Sequence, residues 1–84
     1  MKLISGKLYR VSFSSENSYV AGWDISDTKT IAENIHCGDI VLFLEEVTSN
    51  VWEWFAPPRT YKVLTKNSKI VYMRHCLEGQ FVEL

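Results

Sequence analysis

Period-two alternation, repeated in short segments with turn residues between them, constrains this chain more than any other feature. KLYRVSF at 7–13 puts Leu8, Arg10 and Ser12 on one side and Tyr9, Val11 and Phe13 on the other. One apolar face and one polar face is the pattern of a half-buried strand. SSEN (14–17) is turn chemistry, and SYVAGW (18–23) reads as a short second strand. TYKVLTK (60–66) alternates again, Asn67-Ser68 suits a tight hairpin turn, and KIVYMRH (69–75) returns. CLEGQ (76–80) predicts an irregular or single-turn connection, and FVEL (81–84) a last short strand. Two segments break the alternation. IVLFLEEV (40–47) is a nearly continuous apolar run, which predicts a central strand covered on both faces. SDTKTIAENI (26–35) has a cap at Ser26 or Asp27 and Ile31 and Ile35 at i, i+4, which predicts one short helix near 27–34.

These segments describe a mainly β protein: a five- to six-stranded antiparallel small barrel, one domain over residues 1–84. At 84 residues only about 60–65% of the unfolded surface can be buried, so the core is small. No apolar run nears the ~20 residues that span a bilayer, and the N-terminus lacks a signal-peptide core. Two cysteines are too few for a disulfide scaffold. The expectation is a complete cytoplasmic chain that makes no membrane contact.

GDIVLFLEEV at 38–47, the hairpin after it, a one-turn break and the terminal FVEL resemble the Src-homology-3-like small β-barrel. In that fold a glycine–acid turn launches the second strand, and a hairpin and a 3₁₀ turn precede the last one. The resemblance is of fold and covers residues 38–84 best. Two departures separate the chain from the peptide-binding members. YRVSF stands where they carry a tyrosine-rich motif, and HCLEGQF lacks their proline and tyrosine before the last strand. Both argue against proline-rich peptide recognition in the usual groove. In general style GKLYRV and YKVL…KIVYM are also similar to small barrel proteins of tailed bacteriophages.

VWEWFAPPR (51–59) crowds Trp52, Trp54, Phe55, Pro57, Pro58 and Arg59 between two better strands. Neither proline has an N–H, so strand pairing stops there and a loop is expected. One tryptophan folds down as a lid in one reading. In the other, at least one stays exposed beside Arg59, and Trp and Arg are enriched at interface hot spots. The binding set is then Trp23, Trp52, Trp54, Phe55, Pro58 and Arg59. Their partner is a protein, which the phage-like style would make a host enzyme or defence factor bound by a small inhibitor. The same rings on a homo-oligomer offer an alternative, a sponge that sequesters a nucleotide or signalling ligand.

Charge is uneven. Residues 16–58 hold eight acids and one lysine, whereas 59–75 hold Arg59, Lys62, Lys66, Lys69 and Arg74 with no acid. A basic hairpin with Tyr61 and Tyr72 suggests single-stranded nucleic acid as a weaker alternative through Lys62, Lys66, Lys69 and Arg74. The acidic half and the net charge of −1 oppose it.

No motif for chemistry stands out. The four glycines are isolated, so no phosphate loop exists. His36-Cys37 and His75-Cys76 are adjacent pairs, which point to opposite faces, whereas structural zinc ligands are spaced by two to four residues. The expectation is no metal, no cofactor and no enzyme.

Overall fold

The computed structural model describes residues 3–27, 29–47, 59–76 and 78–84. Among these residues seven strands form one antiparallel sheet: β1 (Leu8–Val11), β2 (Tyr19–Asp24), β3 (Ile31–His36), β4 (Ile40–Val47), β5 (Arg59–Leu64), β6 (Ile70–Cys76) and β7 (Phe81–Glu83). Their spatial order is β3-β2-β6-β5-β4-β1-β7. A one-turn 3₁₀ helix at Glu78–Gln80 leads into β7. The class is mainly β as expected. The closed barrel of five or six strands is not what forms: the described strands number seven and make an open sheet.

The extra strand comes from the segment expected to be a helix. Among the described residues of 27–34 there is no helix; they hold a turn and most of β3. The apparent cap residues build the turn instead. The Asp24 carboxylate accepts from the Ser26 hydroxyl at 2.6 Å and from the Ser26 and Asp27 amides at 2.7 and 3.2 Å. These bonds, the hydroxyl's first, hold its carboxyl below the ordinary carboxylate range. Asp27 in turn accepts from the Thr30 hydroxyl. Side-chain bonds of this kind compete with a helix for the backbone. Ile31 and Ile35, four apart, fit one stripe of a helix, but pairing with β2 makes the segment a strand, and a bulge beside Trp23 turns exposed Ile31 to the face opposite buried Ile35.

Among the described residues no second layer covers the sheet, so it buries one of its own faces. Tyr9, Val11, Ile35, Val41, Phe43, Tyr61, Val63, Val71, Met73 and Phe81 lie in one buried cluster. Because the outermost strands β3 and β7 both contribute to it, the sheet must curl around that core. Tyr9, Phe43, Tyr61 and Phe81 close a ring of edge-to-face contacts, with centroids 5.2 to 6.4 Å apart. Such pairs add about 0.5–1.5 kcal/mol each beyond their burial.

β4 is internal in the sheet, yet it is covered on one face only. Val41 and Phe43 are buried, Leu42 and Leu44 half-buried and Ile40 exposed. Its apolar run therefore supplies the core with one set of side chains and the outside with another.

Three details fix the curl. A Cβ on buried Gly22 would stand 2.8 Å from Val71 Cγ2 and 2.9 Å from the Glu33 carbonyl oxygen, so only glycine lets β2 approach both neighbours. Gly38 takes a φ of 96° in the turn that launches β4, which suits glycine. The turn of the β5–β6 hairpin is clasped to the β3 region. The Glu33 carboxylate accepts from the Thr65 hydroxyl at 2.9 Å and the Asn67 amide at 2.8 Å. Lys66 Nζ meets Asp39 at 3.1 Å, and Lys69 Nζ donates to the Ala32 carbonyl at 3.3 Å. Asp39 also accepts the His36 amide at 3.0 Å. Two backbone groups of the edge strand β3 are thus engaged by side chains.

Candidate functional site

Strand register places the side chains opposite the core in three rows, because directly paired residues point to the same face. One row runs Ile31, Trp23, Tyr72, Lys62, Glu45 across β3, β2, β6, β5 and β4. The next runs Ile70, Leu64, Leu42, Leu8 across β6, β5, β4 and β1. The third is Ile40, Arg10, Val82 on β4, β1 and β7. Ile31, Ile70, Leu8, Ile40 and Val82 are each at least 40% exposed. Five apolar side chains are thus exposed on one face of the sheet.

Arg74, two residues beyond Tyr72 on β6, lies beside the first row. Its guanidinium carbon lies 3.7 Å from the centroid of the Trp23 ring. Burial lowers its pKa, but a guanidinium keeps its charge in proteins. Among the described residues the outward face carries Arg10, Lys62, Arg74 and Glu45. Several of the described acids of the net-negative chain lie elsewhere. Asp24 and Asp27 are in the β2–β3 turn, and Glu33 and Asp39 bind the hairpin turn. Glu83 pairs with Lys7 at 2.6 Å.

Of the residues singled out in the sequence, the structure unites Trp23 with Arg74 and sets Lys62 in the same row, across Tyr72. Trp23 is in β2, half-buried, and is not in a loop. Lys66 and Lys69 do not join them, being held at the hairpin turn by Asp39 and the Ala32 carbonyl. Tyr61 is a core residue and offers no stacking ring to a ligand. Trp52, Trp54, Phe55 and Pro58 lie outside the described residues. Arg59 opens β5, opposite Cys76, at the end of the sheet from which that segment departs. The apolar row of Leu8, Leu42, Leu64 and Ile70 went unnoticed in the sequence. Alternation places each on the non-core side of its strand, but only register aligns them.

Around the cysteines the geometry offers little chemistry. Cys37 is half-buried, its Sγ 3.4 Å from the Phe13 amide. Burial pushes the Cys76 thiol up to about 12, which disfavours the thiolate that a nucleophile or metal ligand requires. His36 packs its ring 5.6 Å from that of Tyr19. Among the described residues no three His, Cys, Asp or Glu side chains are grouped to hold a metal ion, and no helix is long and apolar enough to cross a membrane. No protein-family model, curated protein or solved structure matches the chain.

Proposed function

We propose that the chain is a non-enzymatic binding protein that engages a protein partner through the outward face of its sheet. The observation that carries this reading is the row Trp23–Tyr72–Lys62 with Arg74 stacked on Trp23. Aromatic and arginine side chains half-buried in a rigid sheet lose little entropy on binding, and these types dominate interface energetics. The segment carrying Trp52, Trp54, Phe55 and Pro58 joins β4 to β5 and adds further anchors in this proposal. The fold reading that accompanies it is an open relative of the Src-homology-3-like barrel. The glycine–acid turn before β4, the β5–β6 hairpin, the 3₁₀ turn and the short β7 support that kinship. A cytoplasmic host or defence factor is the partner that the phage-like style of the sequence would suggest.

Affinity capture with the tagged chain tests the proposal. One stoichiometric protein should be recovered, and Trp23→Ala should abolish its capture while the circular dichroism spectrum is kept. Recovery of no specific protein, or capture indifferent to both Trp23→Ala and Lys62→Glu, overturns it. Salt-sensitive retention of oligonucleotides in place of a protein would favour the nucleic-acid alternative.

A further inference from the structure

We infer that the partner contributes an acidic amphipathic helix, laid along the row Leu8–Leu42–Leu64–Ile70. This rests on the reading of the outward face as a protein-binding surface and adds the chemistry of the ligand. Four adjacent strands separated by about 4.8 Å give the row a length of about 14 Å. That is the rise of about nine or ten helical residues, enough for apolar side chains at i, i+3 or i+4, and i+7. The row is exposed at both ends, 51% at Leu8 and 40% at Ile70, and half-buried at Leu42 and Leu64 between them.

Its flanks decide the charge of the occupant. Moving two residues along the strands, about 6.6 Å, reaches Arg10 on one side and Lys62 on the other. Among the described residues, Arg10 on one flank and Lys62 with its cross-strand neighbour Glu45 on the other leave the surroundings of the row net positive on a chain of net charge −1, which complements carboxylates on the incoming helix. A second copy stacked face to face would oppose like charges across the interface. Single-stranded nucleic acid needs rings to stack on, and this row is aliphatic. A lipid surface calls for apolar side chains that project into the acyl boundary, and the two central leucines are half-buried.

Two synthetic peptides test the inference against the isotope-labelled full chain by NMR titration. One carries leucines at helical spacing flanked by glutamates, and its twin carries lysines in place of the glutamates. The acidic peptide should shift the amides of Leu8, Leu42, Leu64 and Ile70, and should bind about tenfold or more tightly than its twin. Arg10→Glu and Lys62→Glu should each weaken it by a similar factor while the rest of the spectrum stays folded, and added salt should weaken it too. No binding at millimolar peptide, equal binding of the twin, or shifts confined to other strands overturns the inference. So does concentration-dependent dimerisation through the same amides, or binding to anionic vesicles that Leu64→Glu abolishes while peptide binding stays absent. A partner captured through Trp23 that lacks an acidic helix would overturn this inference and leave the proposed function standing.

Discussion

The Arg74 guanidinium carbon lies 3.7 Å from the centroid of the Trp23 ring, linking β6 to β2 on the outward face. These two strands share only three residue pairs, Gly22–Met73, Trp23–Tyr72 and Asp24–Val71. A side-chain contact beside so short a ladder has a measurable share in holding the β2–β3 hairpin to the sheet. A double-mutant cycle of Arg74→Ala and Trp23→Ala, read by urea denaturation, should give a coupling of about 0.5–2 kcal/mol. Additive losses would show that the stack contributes nothing.

Gly22 carries the closest approach in the sheet. In Gly22→Ala the new methyl group meets Val71 and the Glu33 carbonyl at under 3 Å, and the carbonyl is backbone that cannot turn aside. Destabilisation of about 1–3 kcal/mol is expected from overpacking, read as a lower urea midpoint at unchanged slope. A midpoint equal to the wild type would mean that β2 has room to move away.

Asp39 ties the turn before β4 to the hairpin. Partial burial pushes its carboxyl up, but the His36 amide and the Lys66 ammonium outweigh burial and hold it below the ordinary range. A depressed folded pKa stabilises above the unfolded value of about 3.9 and is lost as pH falls through the folded one. Asp39→Asn should therefore cost about 1–3 kcal/mol at neutral pH. The gap to wild type should hold above about pH 5 and close as acid protonates the wild-type carboxyl. A gap that stays constant down to pH 2 would assign the loss to something other than charge.

Burial, not a partner ion, raises the Cys76 thiol to about 12. The neutral form is favoured in the fold, so its stabilisation is complete below the unfolded thiol value and is lost as pH climbs from there toward 12. In a Cys37→Ala background, a thiol reagent at mildly alkaline pH should label Cys76 only at the rate of unfolding. Prompt labelling under native conditions would contradict its placement.

Strand positions were readable because alternation is local. Tyr9 and Val11 against Leu8 and Arg10, and the limits of 40–47, follow from neighbouring residues alone. The i, i+4 spacing of Ile31 and Ile35 suggests a helix because neither the pairing with β2, eight or more residues distant, nor the bulge that sets the two on opposite faces can be seen locally. The same limit hid most of the candidate surface. Trp23 was visible as a residue type, but its stack on Arg74 joins positions 51 apart, and the aliphatic row draws on four strands. Leu42 and Leu64 look like core in the sequence, since an apolar side chain reads alike whichever face it takes. Only pairing shows that Val41, Phe43 and Val63 fill the interior and leave those leucines outside.

The clasp on β3 has a consequence for the chain's behaviour in company. A bare edge strand can template another chain, and fibrils grow by that route. Here the His36 N–H is occupied by Asp39 and the Ala32 carbonyl by Lys69. An incoming strand would have to displace both before it could form a continuous ladder. On this edge, Asp39 and Lys69 thus act against strand addition as well as holding the hairpin turn in place.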